Sequence, residues 1–117
     1  MSQARSLPTI RRVLALRRRE MRRLHAELGQ NGRHLGELDA RRVELEKERS
    51  AFFTCSGGSL GLDLLRLGDA EREWRKWQRQ RYKAEQTRGR IESSLVRMRA
   101  EIRALELHAE RLAADIL

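Results

Sequence analysis

The sequence predicts an all-α fold in which two long helices form an antiparallel coiled-coil hairpin. Two apolar stripes of nearly equal length carry this prediction. The first runs Ile10, Leu14, Arg17, Met21, Leu24, Leu28, Asn31, Leu35, Leu38, Arg42, Leu45, Arg49, Phe52, and 9 of its 13 positions are apolar. The second runs Trp74, Trp77, Arg81, Ala84, Arg88, Ile91, Leu95, Met98, Ile102, Leu105, Ala109, Leu112, Ile116, with 11 of 13 apolar. Steps of three and four residues alternate without a break, which keeps each stripe on one side of a helix and makes that helix want a partner along its length. A single stretch that no helix prefers, Ser56-Gly57-Gly58-Ser59, separates the two.

The first helix is expected over about residues 9–53, after a frayed start, with Pro8 tolerated near the first turn. Gly29, Gly32 and Gly36 weaken its propensity by about 1 kcal/mol each. They fall outside the seam, so the stripe passes through them; a soft stretch is the plain reading, and a flat spot for a partner backbone the functional one. Residues 54–68 form the tip. Leu60, Leu62, Leu64, Leu65 and Leu67 crowd it more densely than a two-helix seam can bury. The tip therefore either folds into a small cap or offers Leu62 and Leu65 to another protein. Asp69, after Gly68, reads as the N-cap of a second helix over about 69–116. The 117 residues make a single coiled-coil hairpin domain.

Pairing can be worked out from the stripes. If the numbers of facing residues total 119, Leu14 meets Leu105, Met21 meets Met98, Leu24 meets Leu95, Leu28 meets Ile91, and Asn31 meets Arg88 in a polar layer. The same register sets Arg42 beside Trp77 as a cation–π pair. A shift of seven either way keeps the phase, so the pattern alone leaves the register open.

Composition agrees. Charged residues make up 37% and aromatics 4%, too little bulk for a globular core but enough for a thin seam. The 26 basic and 17 acidic residues leave +9, a balance that attracts nucleic acid, anionic surfaces or acidic protein. The charge is sorted along the chain. Residues 1–25 hold eight arginines and one acid, and 72–90 hold eight basic and two acidic residues. Residues 37–49 hold four basic and five acidic ones, and 100–117 hold two and four. An antiparallel fold sets each basic block beside a milder or acidic one, whereas a parallel dimer would set +7 against +7. The one cysteine, Cys55, has no internal disulfide partner, so a reducing, cytoplasmic setting is expected. No apolar run approaches the 18 or so residues of a membrane span, so no membrane insertion is expected.

Catalytic chemistry is not legible. Gly57-Gly58 lacks the Gly-Lys-Ser/Thr ending of a phosphate loop. His25, His34 and His108 are scattered without metal-ligand spacing, and no histidine lies near Cys55. The expectation is a non-enzyme without cofactor or metal. Arg11, Arg12, Arg17, Arg18, Arg19, Arg22 and Arg23 cover much of the outer surface of the first helix and could contact phosphates, but no nucleic-acid reading module accompanies them. Trp74, Trp77 and Tyr82 stand out in a chain this poor in aromatics, and Arg75, Lys76, Arg79 and Arg81 flank the tryptophans near the tip. Seam packing is the plain reading of the tryptophans, and a protein-binding hot spot is the functional one.

Around Glu73-Trp74-Arg75-Lys76-Trp77-Gln78, and in its Arg/Glu/Gln-rich heptads from about Ile10 to Ile116, the chain resembles the FliJ/YscO-like family of type III secretion (flagellar and injectisome) export stalks. The resemblance implies a two-helix rod, similar to the coiled coil of a rotary ATPase γ subunit, that sits in the pore of a hexameric export ATPase and links it to the export gate. Some members also bind secretion chaperones. Carried over, the resemblance implies that the end bearing Arg11, Arg12, Arg18, Arg19 and Arg22 enters the ATPase ring, while Trp74, Trp77 and Arg81 face the gate. Flagellar members use an aromatic and an aliphatic residue about one turn apart there, so two tryptophans are a departure. The leucine-rich tip has no counterpart in the pattern. Two other classes fit the residues: a generic coiled-coil scaffold or small chaperone, and a basic nucleic-acid-binding coiled coil.

Overall fold

A computed structural model describes the backbone of residues 3–54 and 60–116, and the side chains of residues 6–51 and 64–116. It contains two helices, α1 (Gln3–Thr54) and α2 (Leu60–Ile116), and no strand among the described residues. The chain is a helical hairpin. Cys55 and the Ser56–Ser59 turn lie outside the described residues, as do the side chains of Phe52, Leu60 and Leu62.

Both helices begin earlier than the sequence predicts. α1 starts at Gln3 with Pro8 inside it, rather than near residue 9. Leu7 explains the extension: it sits one seam step before Ile10 and is buried. Proline this close to a helix start removes only one hydrogen bond of the ladder. α2 starts at Leu60 and runs straight through Gly68, so 60–68 is neither a cap nor a loop and Asp69 is not an N-cap. Asp69 instead pairs with Arg72 one turn on. The leucines of 60–67 are strong helix formers that outweigh one glycine, and the seam continues back through buried Ala70 and half-buried Leu67.

Contacts divide the chain into two compact units, Met1–Gly29 with Gly89–Leu117, and Gln30–Arg88. In the first, Leu14 and Leu24 of α1 pack against Ile91, Leu95, Met98 and Ile102 of α2, flanked by Ile10, Met21, Leu28, Leu105 and Ala109. All of these are seam positions. The Arg17–Glu101 ion pair at 3.5 Å crosses this unit between residues whose numbers total 118.

In the second unit Leu35, Leu38 and Leu45 pack against Trp77 and Ala84, with Trp74 alongside. Leu45 is the most enclosed side chain, at 1% exposed. The Arg42 guanidinium lies 5.8 Å from the Trp77 ring centre. The Arg49–Glu71 and Arg81–Asp39 ion pairs, at 3.0 and 3.2 Å, join residues whose numbers total 120. A seven-residue shift would bring Arg42 to residue 70 or 84 instead, so this unit adopts the register centred on 119. Asn31 does form a buried polar layer. Its partner is the Ala84 carbonyl, reached by the Asn31 amide at 3.0 Å, while Arg88 lies exposed. The small Ala84 side chain is what lets the amide approach that carbonyl.

Candidate functional site

In the first unit, Arg11, Arg12, Arg18, Arg19 and Arg22 are all exposed on α1. They occupy heptad positions b, e and f, away from the seam that holds Leu14 and Leu24. Arg18 Nη2 reaches Glu106 on α2 at 3.4 Å. Neighbouring cations are also tied: Arg17 to Glu20 and Glu101, and Arg23 to Glu27. Arg11, Arg12, Arg19 and Arg22 make no ion pair with a described residue, so their charge faces solvent. Beside them Val13 and the exposed Leu16 floor an open depression rimmed by Arg17, Arg19, Glu20 and Arg23.

In the second unit the two tryptophans stack, with ring centres 5.2 Å apart and planes at 28°. Their environments differ. Trp77 is 8% exposed, and its indole Nε1 donates to the Leu38 carbonyl at 2.6 Å. Trp74 is half-buried, and the Arg49 guanidinium covers its ring at 4.8 Å. Arg42 and Arg49 thus each sit on one ring, which desolvates the aromatic faces and holds the pair flat against α1. Arg81 is occupied as well: Nε pairs with Asp39 at 3.2 Å and Nη1 lies 3.3 Å from Glu85, an ion pair without hydrogen-bond geometry. The proposed hot spot of Trp74, Trp77 and Arg81 is therefore brought together, but mostly turned inward. Trp74 and Arg81 are half-buried and keep a solvent-facing part, whereas Trp77 is buried. Leu65, at 67% exposed, stands open near the start of α2, next to exposed Leu64.

Three participants were not singled out from sequence: Arg49, Asp39 and the Leu38 carbonyl. The 119 register held a signal for Arg49, because it places this residue opposite Ala70, one turn from Trp74. Nothing in the pattern marks a backbone carbonyl as an indole acceptor. Arg41 is held above its ordinary range, chiefly because its guanidinium donates a 2.8 Å hydrogen bond to Glu44.

Among the described residues no group of three His, Cys, Asp or Glu side chains could hold a metal ion. No helix among them is long and apolar enough to cross a membrane. The fold is a two-helix coiled-coil hairpin whose polar chemistry lies on outward helix faces. No family model, no curated protein and no solved structure matches the chain.

Proposed function

We propose that this chain is a non-enzymatic central-stalk component of a bacterial type III secretion export apparatus, acting in the cytoplasm. It binds a hexameric export ATPase at one end and links it to the export gate, with secretion chaperones as further partners. The observation that supports this reading most is the cluster of solvent-facing Arg11, Arg12, Arg19 and Arg22 on a two-helix hairpin. A two-helix hairpin can link two bodies, and exposed cations give it affinity for an acidic or polar ring interior. The Arg/Glu/Gln-rich heptads and the Glu73–Gln78 stretch supply the likeness to export stalks.

At the gate-facing part, the outer edge of Trp74 and exposed Leu64 and Leu65 are the apolar contacts available. Trp77 and Arg81 act there as positioning residues, since one is buried and the other ion-paired. Exposed Leu64 and Leu65 also support a second reading, a scaffold or chaperone that pairs with a partner helix.

The test is a pull-down of the purified chain from lysate of its native bacterium, at about 0.15 M ionic strength and with nuclease present. Recovery of a hexameric ATPase, lost on replacing Arg11, Arg12, Arg19 and Arg22 by Gln, supports the stalk. Recovery of helical partners without an ATPase supports the scaffold.

A further inference from the structure

A second charged surface lies on α2, within the Gln30–Arg88 unit. Extending the seam assignment through Trp74, Trp77, Arg81 and Ala84 puts Arg72, Arg75, Lys76, Arg79, Tyr82 and Lys83 at positions b, c and f. All six are exposed. They span about 16 Å of helix at 1.5 Å per residue. No acid occupies a b, c or f position between 72 and 86. Among the carboxylates of this stretch, Glu71 pairs with Arg49 on α1, while Glu73 lines an open depression together with Arg72, Arg75, Lys76 and Arg79. Glu85 pairs with Arg81. Arg72 is tied to Asp69, but Arg75, Lys76, Arg79 and Lys83 make no ion pair with a described residue. The result is a row of cations on one face, in which basic residues outnumber the bordering Asp69 and Glu73. It holds two of the three lysines in the chain and its only tyrosine.

We infer that this face binds the phosphate backbone of a nucleic-acid duplex without reading its sequence. The kind of partner follows from what the face lacks. A stable protein interface has an apolar or aromatic centre from which charge, and lysine above all, is depleted. Here Tyr82, 62% exposed, is the single aromatic, and no aliphatic side chain sits beside it. A membrane-surface helix needs an apolar face to insert, which this stripe does not have. Single-stranded nucleic acid is held by stacking on several aromatic platforms in a groove; one tyrosine on a convex helix is not such a platform. A duplex backbone needs only point charges at intervals of a few ångströms, and b/c/f cations recur every 4.5–6 Å at about 1.5 Å per residue. The Tyr82 oxygen accepts a hydrogen bond from Gln86 Nε2 at 2.7 Å, which leaves its O–H to donate to a phosphate oxygen. This inference is independent of the stalk reading and uses different residues.

The test is fluorescence anisotropy of a labelled 20-base-pair DNA duplex with the full chain across a salt series. The wild type is compared with a variant carrying Arg75→Gln, Lys76→Gln, Arg79→Gln and Lys83→Gln. These side chains are exposed and outside the seam, so circular dichroism should show the same helicity. Four phosphate contacts predict that the slope of log affinity against log salt becomes shallower by about 3–4 in the variant. The same difference should persist when Arg11, Arg12, Arg19 and Arg22 are replaced by Gln in both proteins. Equal slopes for wild type and variant would overturn the inference. So would tighter binding of a single-stranded 20-mer than of the duplex. Displacement of the duplex by poly-L-glutamate as effectively as by unlabelled duplex of equal charge would overturn it in favour of an acidic polypeptide.

Discussion

Trp77 and Leu38 are joined across the two helices by a hydrogen bond from the indole Nε1 to the backbone carbonyl at 2.6 Å. A helical carbonyl has a second lone pair beyond the one its own ladder uses, so the bond adds to the helix without disrupting it. It also fixes which face of Trp77 meets Arg42 and which meets Trp74. Trp77→Phe keeps an aromatic ring but removes the donor. We expect a loss of about 1–2 kcal/mol from the hydrogen bond and the weakened cation–π contact. Trp74→Phe should cost less than about 1 kcal/mol, because Trp74 is half-buried and donates no such bond. Urea unfolding of the two variants checks the order; equal losses would contradict the burial difference.

Asn31 is the one buried polar side chain in the described seam, and its Oδ1 has no hydrogen-bond donor among the described residues. Asn31→Leu should therefore stabilise the chain, by about 1–2 kcal/mol, since the Ala84 carbonyl retains its helical partner and the orphaned oxygen disappears. The cost should appear in specificity, because a polar seam residue penalises other registers and other partners. Sedimentation should show the wild type as one species and Asn31→Leu as a mixture of association states. A drop in melting temperature for Asn31→Leu would contradict this account.

Leu95→Asp and Leu28→Asp look equivalent in the heptad but not in the structure. Leu95 is 3% exposed in the middle of the first core, whereas Leu28 is half-buried. An aspartate at 95 has no route to water, so the loss should exceed about 4 kcal/mol and unfold the first unit. At 28 the carboxylate can turn outward and the loss should be roughly half as large. Thermal melts followed by circular dichroism separate them.

A Cβ added at Gly29, Gly32 or Gly36 would meet nothing within 4 Å. Each Gly→Ala change should therefore stabilise α1 by about 1 kcal/mol through helix propensity alone. The triple variant should melt at least about 4 °C higher than the wild type. Unchanged melting would mean that these positions are not helical in solution.

Most of the fold was legible because a coiled-coil seam is a periodic code. Leu14, Leu24, Leu45, Ile91, Leu95 and Ile102 were predicted to be inside and are. The ends were harder. Leu7 extends α1 past Pro8 because its burial outweighs one missing hydrogen bond. α2 runs through Gly68 because the leucines before it favour helix more than glycine disfavours it. Both contests are between propensity and packing, which a local reading scores separately. At the candidate site, the pairing of Arg42 with Trp77 followed from register. Seam packing of Trp77 was legible from its position too, but its hydrogen bond to the Leu38 carbonyl and the Arg81–Asp39 ion pair were not. Those are choices among rotamers that spacing cannot reveal.

Joining both seams in one chain has a consequence for copy number. Two separate helices would need to find each other, and their pairing would fade on dilution. Here the partner is always tethered in the same chain, at an effective concentration that expression level does not alter. Folding is a first-order event, and a cell holding a handful of these molecules keeps the same folded fraction as one holding thousands.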